Sequence, residues 1–263
     1  MNNKSRLDIL LTERALTESR NKAQALIMAG KVRVNGEVIT KSGTLINSDA
    51  NITLDDSDKW ASRGAKKLLK AFEVFNLDVK NKICADLGAS TGGFTDVLLF
   101  HGAKKIYAVD VGYGQLIWRL ANDPRVIVMD RTNARYLTVE NFEVLPDFVT
   151  CDASFISLKL ILPVINNIAQ DSAVILIKPQ FEAGRDKNKI SKGVVKNKIV
   201  HEEGLNNIIN FINSETKFFI SGLTHSPIKG PEGNIEFLCW LTRTDNAFRP
   251  DVLKIVDDAH CEI

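Results

Sequence analysis

The chain has 263 residues, 44% of them hydrophobic and 25% charged, and its 34 basic and 32 acidic residues leave a net charge of +2. This is the composition of an ordinary globular protein with room for one full core and a second small domain, and where the charges lie says more than their sum. No apolar run approaches the ~18–20 residues that cross a bilayer, and the opening MNNKSRLDIL lacks a signal-peptide core, so a cytoplasmic protein without a membrane partner is expected.

Cys84, Cys151, Cys239 and Cys261 are scattered, with no C-x-x-C spacing and no histidine pair beside them, so neither a disulfide framework nor a zinc site is expected. The first three lie in apolar, strand-like runs, where a thiol serves as a small buried hydrophobe. The histidines are equally dispersed, and no metal is predicted.

The first fifty-odd residues predict helix, helix, hairpin. Leu7, Leu10 and Leu11 fall on one helical face, and Ala23, Leu26 and Ile27 form the stripe of a second helix capped by Thr17 or Ser19 and stopped at Gly30. KVRVNGEVI then alternates around Asn35-Gly36, the dipeptide that favours a type I′ hairpin turn. From Met1 to Ile46 there are eight basic residues against four acidic. Arg20 and Lys22 fall in the opening turn of a helix, where the macrodipole disfavours cations; a rule broken on a surface points to an external anion such as a phosphate backbone. A merely solvated basic face is the alternative.

RLD-x-x-L followed by SR-x-x-A-x-x-LI-x-x-G-x-V-x-VNG resembles the S4 RNA-binding domain, a small module of ribosomal and RNA-modifying proteins. The resemblance implies RNA as partner, with Arg6, Arg20, Lys22, Lys31 and Arg33 as candidate phosphate contacts. Residues 1–54 are assigned to this domain, 55–62 to a polar, acidic linker, and 63–263 to the rest.

After Lys82 strands and helices alternate: KICADL, a helix from Phe94, KKIYAVDV, a helix from about Gly114, VIVMD, PDFVTCD, a helix from about Ile156, AVILIKPQF, a helix from about Lys198, KFFISGL and IEFLCWL. Apolar runs separated by helices predict an α/β fold with a mostly parallel, doubly wound sheet, whose ligands sit outside the carboxyl ends of the strands.

The glycine-rich loop after the first of these strands, DLGASTGGF, is neither a P-loop, since Phe94 stands where lysine is required, nor a G-x-G-x-x-G dinucleotide turn. Asp86 before the turn would repel a pyrophosphate and suit a cationic ligand, while Gly88, Ala89, Ser90, Gly92 and Gly93 allow close backbone approach. Asp110 closes the next strand and can take two ribose hydroxyls. Asp130, followed by Arg131, closes the third, near an adenine edge. Three carboxylates at successive strand ends suit S-adenosylmethionine, and the pattern looks like a class I methyltransferase.

The fourth strand ends VTCDASF, without the prolines of an amino-group methyltransferase, and alternation points Cys151 away from the position of a C5-pyrimidine nucleophile. The fifth ends ILIKPQF, leaving Lys178 at the mouth. Structural pairing with Asp152 is one reading; binding or deprotonating a substrate hydroxyl is the other, with Lys67 as a neighbouring cation and Glu236 as an orienting group.

SRGAKKL, DLGASTGGFTD, VDVGYGQL, DASFISL, KPQFEAGR and SPIKGPEGNIEFL, following an S4 motif, resemble the TlyA (haemolysin A) family over essentially the whole chain. The resemblance implies an S4 domain joined to an FtsJ-like class I (Rossmann-like) methyltransferase with a seven-stranded, mostly parallel sheet. It also implies a catalytic tetrad of Lys67, Asp152, Lys178 and Glu236, methyl transfer to a ribose 2′-hydroxyl, and cytidines of ribosomal RNA or ribosomal subunits as substrate, the large subunit favoured. The basic segment GRDKNKISKGVVKNK adds Arg185, Lys187, Lys189 and Lys192 as candidate RNA contacts, with a solvated loop as the alternative reading. An RNA-binding protein with an inactive methyltransferase domain, and a membrane-active haemolysin, are the competing expectations.

Overall fold

The structure, a computed structural model, describes residues 4–17, 19–54, 60–182 and 193–263. It divides into two compact units, Met1–Lys59 and Trp60–Ile263.

The first unit is built around two short helices and small antiparallel strands. β1 (Lys4–Arg6) leads directly into α1 (Leu7–Glu13), and α2 (Arg20–Met28) follows; Ser19 caps it by accepting from Lys22 N at 3.3 Å. β2 (Val32–Val34) and β3 (Glu37–Val38) form the expected hairpin, with Asn35 and Gly36 both in the left-handed region (φ 51° and 89°) that its turn requires. β4 (Leu45–Asn47) pairs with β1, and β5 (Ile52–Leu54) with β2. Leu7, Leu11, Ile27, Val32 and Ile52 close one core. The β1–β4 pair was not expected from the sequence, because three residues are too few to show alternation.

The second unit opens with α3 (Ala65–Phe75), followed by β6 (Ile83–Leu87), α4 (Gly93–Phe100), β7 (Lys105–Val109), α5 (Trp118–Ala121) and β8 (Val126–Met129). Then come β9 (Phe148–Cys151), α6 (Leu162–Ile168), β10 (Ser172–Ile177), α7 (Pro179–Glu182), α8 (Lys198–Glu215), β11 (Phe219–His225), β12 (Phe237–Thr242) and α9 (Val252–Glu262). The seven strands form one sheet in the order β11-β12-β10-β9-β6-β7-β8, in which only β12 runs against its neighbours. β6 has β7 on one side and β9 on the other, so the order reverses there and a crevice opens beyond its carboxyl end.

Two expected helices start late. Instead of a helix from Gly114, a loop binds the neighbouring strand ends: Gly112 N donates to Asp110 Oδ1 and Gly114 N to Asp130 Oδ2, at 2.8 and 2.9 Å, and α5 begins only at Trp118. Instead of a helix from Ile156, a left-handed Phe155 (φ 63°) breaks the chain, a single 3-10 turn covers Leu158–Leu160, and α6 starts at Leu162 with Pro163 in its first turn.

Both faces of the sheet are buried, so alternate residues enter different cores. Ala85, Tyr107, Val149, Ile175 and Cys239 face the side of α6, α8 and α9. Cys84, Ile106, Phe148, Val174 and Leu238 face the side of α3 and α4. The same parity carried to the strand ends directs Asp152, Lys178 and Glu236 toward α3.

Candidate active site

Lys67 lies on the buried face of α3, beside Leu68 and Ala71. Its ammonium reaches two strand ends at once: Nζ is 3.1 Å from Asp152 Oδ2 and 2.7 Å from Glu236 Oε2. Lys178 Nζ is 2.6 Å from the other oxygen of Asp152 and donates to Ser154 Oγ at 2.7 Å. Lys67, Lys178 and Glu236 are buried and Asp152 is the most accessible of the four. Two ammonium groups and two carboxylates balance, which is what lets them stay ionised away from water. Burial alone would depress Lys67, but Asp152 and Glu236 outweigh it and hold its pKa above that of an ordinary lysine.

Among the described residues three cavities touch this cluster. The largest, about 730 Å³, runs from Gly88 and Asp110 past Gln115 to Asp152 and Phe155. A second, about 240 Å³, lies between the start of α3 (Ser62, Arg63, Lys67) and the glycine-rich loop (Ala89, Ser90). A third, about 110 Å³, has Phe155, Lys178, Asn234 and Glu236 on its walls. At Gly88 (φ 87°) an added Cβ would sit 3.0 Å from the carbonyl oxygen of Asp152, so only glycine lets the two strand ends approach this closely.

The expected cofactor residues divide into two sets. Gly88, Ser90 and Asp110 line the largest cavity, and Ser90 N donates to Asp110 Oδ2 at 2.8 Å. Gly93 lines the second. Asp86, Gly92, Asp130 and Arg131 line none of the three. Asp86, expected to face a cationic ligand, is fully buried on the α4 side, where Thr95 Oγ1 and Thr150 Oγ1 donate to it at 2.7 and 3.0 Å. The parity of β6 turns it there, and burial pushes its pKa up to about 6 against the two hydroxyl bonds. Asp130 fixes the Gly112–Gln115 loop through Gly114, and Arg131 lies over the Tyr113 ring at 4.4 Å.

Sequence reasoning passed over two features of the site. Ser154 is a direct partner of Lys178. Phe155 is 85% exposed beside it, with its ring 5.6 Å from that of Phe181. Trp60 and Ala61, assigned to the linker, belong to the second unit: Ala61 N donates to Asp96 Oδ2 at 2.8 Å and Trp60 packs edge-on against Phe100 at 5.3 Å. A large aromatic three residues past the strand-end Asp152 was the available signal for Phe155.

Of the expected RNA contacts, Lys22 and Arg33 are exposed on the first unit, Lys31 is half-buried, and Arg33 Nη1 donates to Gly36 O at 3.1 Å. Arg6 and Arg20 both reach the buried Asp8, so Arg20 at the start of α2 has an answer inside the protein. Arg185, Lys187, Lys189 and Lys192 lie outside the described residues. Among the described residues no group of three or more His, Cys, Asp or Glu side chains is placed to hold a metal ion, and no helix is long and apolar enough to cross a membrane.

The two units match two known families. Residues 5–52 match the S4 domain and residues 60–243 the FtsJ-like methyltransferases, which makes the chain an S4-bearing methyltransferase of the FtsJ-like class. The chain is 44% identical to the 16S/23S rRNA (cytidine-2'-O)-methyltransferase TlyA of Mycobacterium tuberculosis, over 94% of this chain and 93% of the relative. It is 46% identical to Hemolysin A of Brachyspira hyodysenteriae, over 89% of this chain and 98% of the relative. A solved structure described as "Putative hemolysin from Streptococcus thermophilus" is 43% identical, spans 100% of this chain and 98% of that one, and superposes with a TM-score of 0.74. The chain belongs to the TlyA (haemolysin A) family.

Proposed function

We propose that the protein transfers a methyl group from S-adenosylmethionine to the ribose 2′-hydroxyl of a cytidine in ribosomal RNA, in the cytoplasm, with the large-subunit RNA favoured and the small-subunit RNA as the alternative substrate. The observation that carries this reading is the Lys67–Asp152–Lys178–Glu236 cluster, whose Asp152 lines the largest of the three cavities. The relative from Mycobacterium tuberculosis is named for methyl transfer to cytidine 2′-oxygens of both ribosomal RNAs.

S-adenosylmethionine supplies an electrophilic methyl carried on a sulfonium. The cavity wall suits it: Asp110 offers a carboxylate for a ribose diol, and Gly88, Ser90 and Gly93 give backbone an approach that larger residues would block. Asp86 contributes behind the wall, by fixing β6 to α4 through Thr95.

The substrate hydroxyl is the province of Lys178. Its Nζ is held by Asp152 and Ser154, so it presents a fixed donor that orients the 2′-oxygen. Lys67 and Glu236 hold Asp152 from the other side. Phe155 stands exposed on the same rim and offers a stacking face for the target base. RNA follows from the chemistry, because DNA has no 2′-hydroxyl. The S4 unit supplies phosphate contacts through Arg6, Arg20, Lys22, Lys31 and Arg33, joined by Arg185, Lys187, Lys189 and Lys192.

Methyl transfer from radiolabelled S-adenosylmethionine to unmethylated 30S and 50S subunits tests this. Label on a ribose 2′-oxygen, lost in Lys178→Ala, is the expected result. No label on either subunit, from protein that calorimetry shows to bind the cofactor, would overturn it.

A further inference from the structure

Asp8 is 0% exposed, in the first turn of α1, yet it receives four hydrogen bonds from three side chains. Arg6 donates through Nε to Oδ1 at 3.0 Å and through Nη2 to Oδ2 at 2.9 Å. Arg20 donates through Nε to Oδ2 at 3.0 Å, and Gln24, one turn further along α2, through Nε2 to the same oxygen at 2.8 Å. Three elements, β1, α1 and α2, are thereby tied at one carboxylate. Asp8 is held far below the usual carboxylate range, first by its bond to Arg6.

One carboxylate cannot neutralise two guanidiniums, so the cluster keeps an excess positive charge, carried by side chains 41% and 52% exposed. The inward-facing nitrogens are spent on Asp8. Arg6 Nη1 and both terminal nitrogens of Arg20 have no hydrogen-bond partner among the described residues. A flat loop backs the Arg6 guanidinium: a Cβ at Gly43 would lie 3.2 Å from Nη1 and 3.4 Å from Cζ. That loop is itself fixed to α1, with Leu7 N donating to Thr44 O at 2.9 Å and Asp8 N to Ser42 O at 3.2 Å.

We propose that Asp8, with Gln24, is a positioning residue for RNA: it holds the Arg6 and Arg20 guanidiniums as one pre-set pair whose outward N–H groups grip phosphate. The proposal rests on the RNA-binding reading of the S4 unit given above. Its physical content is preorganisation. Arginine loses much rotamer freedom when it binds a phosphate, and a carboxylate that has already ordered two of them removes that cost from the binding step. It also answers the missing acid at the start of α2, whose first turn holds no acidic residue.

Charge alone gives the opposite sign. Asp8→Asn removes a negative charge beside two guanidiniums, so a purely electrostatic site binds a polyanion more tightly after the change. The test measures binding of full-length protein to unmodified 23S rRNA transcript by filter retention over a salt series, for the wild type, Asp8→Asn, Arg6→Gln/Arg20→Gln and the triple variant, with circular dichroism confirming the fold. Asp8→Asn is expected to weaken binding about tenfold, and to have no further effect once both arginines are gone. Unchanged or tighter binding by folded Asp8→Asn overturns the proposal, as does a loss that persists without the arginines. If Asp8→Asn unfolds the S4 unit, Gln24→Met decides the matter with no change of charge: weaker binding that depends on the arginines supports positioning, and unchanged binding overturns it. A wild-type protein that shows no salt-dependent binding at all defeats the RNA reading itself, an outcome separate from these.

Discussion

Lys67 and Lys178 hold opposite oxygens of the same carboxylate, Oδ2 and Oδ1 of Asp152, at 3.1 and 2.6 Å. Among the described residues Asp152 is the carboxylate that Lys178 pairs with, since Glu236 reaches only Lys67. Asp152→Ala leaves two buried ammonium groups with one carboxylate, and urea unfolding is expected to show a loss of about 3 kcal/mol. Adding Lys178→Met to that variant removes the surplus charge and should return most of the stability while methyl transfer stays absent. If the double variant is no more stable than the single one, the four groups are not the coupled set described here.

Phe155 combines a left-handed backbone (φ 63°) with an exposed ring beside Lys178. A bulky residue in that region carries strain of order 1 kcal/mol, so Phe155→Gly should raise the urea midpoint slightly. The same change removes the stacking face and should lower kcat/KM for RNA by about tenfold, mostly through KM. Equal activity in the two proteins would show that the ring does not touch substrate.

Asp86 and His201 give stability opposite slopes with pH. Burial raises Asp86 from 3.8 to about 6, so its stabilisation is full below pH 3.8 and is lost as pH rises through about 6. Asp86→Asn should therefore gain roughly 3 kcal/mol on the wild type between pH 4 and 7.5. Equal urea midpoints for the two proteins at both pH values would mean that Asp86 is not a buried carboxylate of this kind.

His201, fully buried with Nδ1 2.9 Å from His260 Nε2, is pushed down to about 4 by burial and by that neighbour. Its contribution is present above pH 6.5 and is lost as pH falls through about 4. NMR titration should find its imidazole neutral at pH 5.5. A His201 resonance that titrates near 6.5 would contradict the packing of α8 against α9.

Period-two alternation made much of this legible in the sequence. Buried strands written as continuous apolar runs announced the doubly wound sheet, and a lysine closing such a run made Lys178 conspicuous. Asp152 followed from the neighbouring strand. Lys67 and Glu236 could only be proposed, because a helix far up the chain and a late strand reach the same point through tertiary packing that no local pattern records. Asp86 was misread for a related reason: its place at a strand end was visible, but which face of β6 it took depended on the register of the whole sheet. The burial of Asp8 was equally hidden, since a count of basic residues does not reveal an acid placed beneath them.

The position of β12 sets an order of events during synthesis. It is the last strand made, yet it lies between β10 and β11 and runs against both. Until it emerges, the outer edge of β10 is open, β11 has no strand to pair with, and Lys67 lacks one of its two counterions. A nascent or truncated chain that stops before Glu236 can hold the cofactor-side loops of the sheet but has no finished centre. The four-charge set of Lys67, Asp152, Lys178 and Glu236 is complete only once this final part of the sheet is in place.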